Sequence, residues 1–199
     1  MKKFRVYKII ISILFFLCLN TSSIANISSN FINNITDSAS SILSSENTRE
    51  EKIQKLIKIG ESSVDIDGIG FYTLGKHRKS LNEVQKDTFK KIFREYFLKS
   101  FSSRLVEYKE AKIVVISEDI KNDKYTIVKS KLLATSNRPE VSIDWRVYTK
   151  DPTKPLIRDL IIEGLSLART QREEFNSIIT NNGGDVKALF TSLKEFNSK

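Results

Sequence analysis

The sequence predicts an α+β fold: an antiparallel sheet of about four strands with N-terminal and C-terminal helices packed on one face. Three observations carry this. Apolar residues recur at helical spacing up to about residue 108. From about 112 to 165 the period shortens to two, in runs separated by turn signals. Helical spacing then returns. Helices and strands come in blocks and do not alternate, so the strands pair as an antiparallel meander and the helices collect on one face.

The first residues carry a different signature. Lys2, Lys3, Arg5 and Lys8 precede an apolar run from Ile9 to Leu19, and Ser23-Ile24-Ala25 supplies small residues for cleavage. Residues 1–25 read as a secretory signal cut after Ala25. An apolar run of about 11 residues is too short to span a bilayer. Cys18 follows bulky Phe16 and Leu17, where a lipoprotein signal has small residues, so lipidation is not expected.

Residues 26–199 then form a single domain with no cysteine, which excludes disulfides and thiolate metal sites. Removing the four cations of the signal takes the net charge from +9 to +5. A basic exported protein does not meet nucleic acid. Anionic lipid head groups or acidic proteins are its natural counter-charges, and solubility alone accounts for the charge equally well.

Phe31, Ile32, Ile35, Ala39, Ile42 and Leu43 place a first helix over about Ser29–Leu43. Thr48 and Glu51 make a capping box for a short second helix closing at Gly60. Asp65 caps a further short segment. Asp65 and Asp67 lack the additional ligands and closing Glu of an EF-hand, so capping is favoured over calcium. Ser80 and Glu83 form the next capping box and open the longest helix, about 30 Å long and ending near Tyr108. Its apolar face carries Leu81, Val84, Thr88, Phe89, Ile92, Phe93, Tyr96 and Phe97. Phe89, Phe93, Phe97 and Phe101 recur every four residues.

Ile113–Ile116 is a β-branched run, and Asn122-Asp123 turns it into a second strand from Tyr125 to Thr135. After the turn at Ser136–Pro139, Val141, Ile143, Trp145 and Val147 alternate with polar residues. Leu156–Leu165 forms the fourth strand, bent or bulged at Gly164. Ala168–Asn182 is helical again, and Asp185 caps a last helix carrying Val186, Leu189, Phe190 and Leu193.

Catalytic signals are thin. Gly164-Leu165-Ser166-Leu167-Ala168 resembles a nucleophile elbow, but that arrangement needs a histidine after the serine and a parallel sheet. The sole histidine, His77, lies upstream, so Ser166 reads as a helix cap. His77 has no companion ligands for a metal. Lys76, His77, Arg78 and Lys79 form a basic turn, either solvated or facing an anion at the start of the long helix. What stands out is apolar surface, with 12 phenylalanines in the chain. A sheet concave enough to hold a helix can also hold acyl chains. A solid core gives the same pattern.

Leu74-Gly75 followed by Arg78, Gln85 and Phe89, then Phe93 and Tyr96, Asp159–Ser166 as DLIIEGLS, and Arg172, Phe175 and Gly183 beyond, resemble the MlaC family in order and type. These are the periplasmic phospholipid carriers of the Mla lipid-asymmetry system, also called the toluene-tolerance auxiliary family. The resemblance runs from about Phe31 to Phe196. It implies helices around a twisted antiparallel sheet, and a deep apolar pocket for phospholipid tails with the head group near solvent. It also implies transfer between an outer-membrane lipoprotein–porin complex and an inner-membrane ABC transporter, with no cofactor and no enzymatic activity. The family's aromatic pair after Leu-Gly is replaced here by Lys76-His77, which alters the mouth. Face and family together suggest a pocket wall of Phe71, Leu74, Phe93, Phe97, Phe101, Val115, Ile127, Trp145, Val147, Leu165 and Leu167, with Arg78 at the mouth. The alternative is a periplasmic interaction module with a solid core and no cargo.

Overall fold

The computed structural model describes residues 26–108 and 111–199. The expected signal, residues 1–25, lies outside the described residues. In chain order the elements are α1 (Ile27–Ser44), α2 (Arg49–Ser63), α3 (Ile66–Thr73), a 3-10 turn (Gly75–Lys79) and α4 (Glu83–Leu105). Next come β1 (Ile113–Asn122), β2 (Tyr125–Leu132), β3 (Val141–Tyr148), β4 (Leu156–Ile162) and β5 (Leu165–Ser166), and then α5 (Leu167–Asn181) and α6 (Val186–Ser198).

The strands form one open antiparallel sheet in the order β1-β2-β3-β4-β5. The expected α+β architecture is therefore present, with one strand more than anticipated. Gly164 is not a bulge within β4. Glu163 and Gly164 both have positive φ, 49° and 79°, and form the two-residue turn that folds Leu165–Ser166 back onto Ile161–Ile162. Positive φ at both central residues matches the twist of the flanking strands. The β4 edge is also covered at its other end, where Val64 bridges Ile157 in parallel and the Asp65 N–H donates to the Ile157 carbonyl (3.0 Å).

Helix boundaries follow local chemistry. Thr48 and Glu51 cap α2 reciprocally, as the sequence suggests. The helix does not stop at Gly60 but runs to Ser63. Gly60 serves packing: a Cβ there would lie 3.0 Å from Leu98 of α4, so its absence lets the two helices approach. The capping box of α4 is Asn82 with Gln85, two residues beyond the expected pair. Ser80 instead closes the 3-10 turn by donating to the His77 carbonyl (2.8 Å). Val84, expected on the apolar face, sits in the first turn of α4 and is 75% exposed.

The side chains of β1–β4 alternate between two faces. Val128, Ile143, Trp145, Val147 and Ile157 point inward to a single core completed by Ile32, Phe89, Phe93, Phe175, Ile179 and Leu189 from the helices. Alpha-helical cover thus lies on one face of the sheet. A smaller cluster of Leu43, Leu56 and Val106 joins α1, α2 and the end of α4.

Candidate functional site

The long α4 helix faces the inner side of the sheet across an aromatic layer. Phe89 stacks on Phe93 (5.5 Å between centroids) and on Phe190 of α6 (5.8 Å). Phe93 meets Phe175 of α5 edge-on at 6.1 Å, and Phe97 stacks on Phe101 at 5.8 Å. Each such ring buries on the order of 150–250 Å² and prefers these offset or edge contacts.

From the sheet side, Trp145 is held by one polar device. Its Nε1 donates to Ser130 Oγ (2.8 Å), and that hydroxyl donates onward to the Ile143 carbonyl (2.9 Å). Both partners are buried, so the indole is fixed with its hydrogen-bond capacity satisfied.

The layer grades from fully buried to partly buried side chains. Phe89, Phe93, Val128 and Val147 are at most 2% exposed. Phe97, Ile113, Val115, Val141 and Leu160 are only partly buried against this cluster. Polar ties lie around the rim. Tyr96 donates to Gln171 of α5 (2.9 Å), Arg94 pairs with Asp67 of α3 (3.3 Å), and Lys99 donates to the Asn197 carbonyl of α6 (2.8 Å). Burial, aided by nearby Glu174, lifts the Tyr96 phenol above its usual pKa, so it remains a neutral donor. Among the described residues, no hydrogen bond or ion pair joins α4 to the strands. What separates α4 from the sheet is apolar and non-directional.

Most of the expected wall residues converge on this layer. Leu74, Phe93, Trp145 and Val147 are in its buried part, and Phe71, Phe97 and Val115 are in its partly buried margin. Phe101 is partly buried and lies against Gly60 of α2. Three fall elsewhere. Ile127 pairs with exposed Arg146 and, by the strand period, faces the outer side of the sheet. Leu165 and Leu167 flank the β5–α5 junction and are 69% and 46% exposed. They read as wall residues from face and family, with the fourth strand running on to Leu165; the turn at Glu163-Gly164 reverses the chain before them. Phe175, Ile179, Leu189 and Leu193 join the core from α5 and α6. Their four-residue spacing marks helices in the sequence but not which cavity they meet.

The remaining chemical candidates have structural employment. Ser166 Oγ donates to Asp159 Oδ2 (2.6 Å) and accepts from the Arg169 N–H (3.1 Å), which makes it the cap of α5. Asp159 Oδ1 takes the Ala168 N–H (3.0 Å). Asp65 caps α3 through the Gly68 N–H (3.0 Å) and spends its other oxygen on Arg158 (2.5 Å). His77 Nε2 contacts Asn176 Oδ1 (3.1 Å). Arg78 is exposed in the 3-10 turn. A cleft of about 260 Å³ between α3 and α4 is lined by Asp67, Asp87, Lys90, Lys91 and Arg94. Charges surround it, so acyl chains have no place there.

A family model described as MlaC protein matches residues 27–195. The chain belongs to the MlaC family. The matched span takes in every element from α1 to all but the last residues of α6. This MlaC-family chain is also similar to a solved phospholipid-binding protein from Ralstonia solanacearum in complex with a phospholipid. The two are 19% identical with a TM-score of 0.70, over 85% of this chain and 96% of that one. At that identity the likeness establishes a shared fold.

Proposed function

We propose that this protein is a periplasmic phospholipid carrier, exported by a signal cut after Ala25 and folded as one domain over residues 26–199. Acyl chains enter between α4 and the inner face of the sheet, from the partly buried margin at Phe97, Val115, Val141 and Leu160. The observation that carries this reading is an apolar layer with a partly exposed margin, across which no hydrogen bond or ion pair joins α4 to the strands among the described residues. Tails wedged between α4 and the sheet exchange one set of apolar contacts for another, and the polar ties at the rim stay intact. Family membership and the lipid-bound Ralstonia relative support the same reading.

Phe71, Leu74, Phe93, Phe97, Phe101, Val115, Trp145 and Val147 are the proposed wall; Arg78, in the turn before α4 and so at the other end of that helix from Phe97, is not at this margin. The protein performs no bond chemistry and needs no cofactor. Its proposed partners are an outer-membrane lipoprotein–porin complex and an inner-membrane ABC transporter complex of the Mla type, between which it moves lipid.

Solvent extraction and mass spectrometry of the protein, purified from the periplasm without detergent, test this. Near-stoichiometric phospholipid is the expected result. A lipid-free protein that also takes up nothing from labelled vesicles overturns it in favour of a solid-core interaction module.

A further inference from the structure

Asn26, the first residue beyond the signal pattern, is tied to the sheet. Its backbone N–H donates to Glu118 Oε1 at 2.8 Å. The other carboxylate oxygen accepts from the Ser29 N–H (2.9 Å) and the Ser29 hydroxyl (2.7 Å). Asn26 itself makes no side-chain cap. A single carboxylate, reaching from β1, therefore organises the first turn of α1.

The backbone of Asn26 adds an independent observation. Its φ is 99°, in the left-handed region that a side chain disfavours. That torsion is defined by the carbonyl of residue 25 and constrains the chain only while the peptide bond between residues 25 and 26 is intact. Cleavage there abolishes the constraint. It also turns the amide that faces Glu118 into an ammonium group.

We infer that Glu118 is the receptor for the α-ammonium group of the mature chain, so that signal removal converts the Asn26–Glu118 hydrogen bond into an ion pair that pins α1 onto the sheet. An α-amine of ordinary pKa, about 7.7–8.0, is mostly protonated at pH 7. The carboxylate already makes the amide bond charge-assisted, so cleavage adds the Coulombic attraction of the ammonium group. The pin bears on the apolar layer, because α1 contributes Ile32 to its buried part and Ile35 to its margin. The precursor thus holds its first helix less firmly than the mature protein does.

The inference rests on the cut after Ala25 proposed above, and a double-mutant cycle separates the two. The full chain is exported and processed, as wild type and as Glu118→Gln, which keeps size and an acceptor. A second pair is made without the signal, with one extra Met before Asn26. N-terminal sequencing of the exported protein reads the cut. Asn26 as the first residue is expected, and any other start overturns both readings. At pH 7 and low salt, Glu118→Gln should lower Tm by about 2–4 °C more in the processed pair than in the Met-extended pair. Equal shifts overturn the receptor and leave the cut standing. Acetylating the α-amine of the processed wild type, with Glu118 untouched, should lower Tm similarly, and no change counts against the proposal.

Discussion

Replacing Phe97 by Asp tests the proposed wall where it is most accessible. Phe97 stacks on Phe101 and lies 6.1 Å from Phe93, at the boundary between the buried and partly buried parts of the layer. Its ring is only partly covered by the protein, so a tail entering from the margin runs along the remaining surface. A phenyl ring lies beside about three methylenes of a chain. Each methylene contributes ~0.8 kcal/mol when removed from water. A carboxylate at this position keeps its hydration and leaves those methylenes wet, a loss of about 2.4 kcal/mol. That is about 50-fold in the dissociation constant. The assay is loss of fluorescent phospholipid from loaded protein to acceptor vesicles, with bound lipid counted by extraction. Thermal unfolding of the lipid-free variant checks the fold. A folded Phe97→Asp protein that loads and retains lipid like wild type would refute the placement of the tails.

Three further outcomes follow from the packing. Gly70→Ala places a Cβ 2.7 Å from the ring of buried Phe93, so overpacking should cost about 1–3 kcal/mol in urea denaturation. Ser130→Ala leaves the buried Trp145 Nε1 without its acceptor and should cost a similar amount, about 1–3 kcal/mol. The double variant Ser130→Ala/Trp145→Phe, which removes acceptor and donor together, should cost less than the two single losses added. Burial alone would raise the Glu118 carboxyl, but hydrogen bonds from Ser29 and Asn26 outweigh it and hold the pKa below the usual 4.5. The carboxylate is thus favoured in the folded state. Its contribution is fully present above about 4.5 and is lost as pH falls through the lower folded value. Glu118→Gln should flatten stability against pH in that acid window.

The order of elements was legible because period alone separates helix from strand. Thr48-x-x-Glu51, Asp65 and Asp185 each cap the helix that their position suggests, since an N-cap is decided within four residues. Readings failed where a residue had two uses. Gly60 looks like a terminator but is a contact point for Leu98, a partner 38 positions away that no local pattern shows. Gly164 looks like a bulge but joins Glu163 in a turn, and a non-glycine residue with positive φ gives no advance signal. Which of the named residues join the core layer was readable for the helix residues and less so for the strands. A one-residue error of parity sends a side chain to the opposite face, as with Ile127. Which apolar residues would be half covered depends on how far α4 stands from the sheet. Nothing in the periodicity encodes that distance.

That distance also decides how a carrier of this build must work. Opening the layer exposes part of the core, at about 1.5–3 kcal/mol for each large side chain fully uncovered. From water, two tails of about thirty methylenes in all supply ~24 kcal/mol if buried completely, which exceeds the opening cost of a few residues. In a membrane, however, the tails are already out of water, and that term cancels. The balance against a bilayer is then set by the opening cost and the contacts at the mouth, so the empty protein gains little by extracting lipid unaided. The polar ties of α4, to Asp67 of α3, Gln171 of α5 and Asn197 of α6, bind it to other helices and leave its sheet side free. A docking partner that acts on the helices can therefore change the opening cost without breaking any bond between α4 and the strands. Under the proposed function, loading and release become matters of which complex holds the helices, and the direction of transfer belongs to the partners.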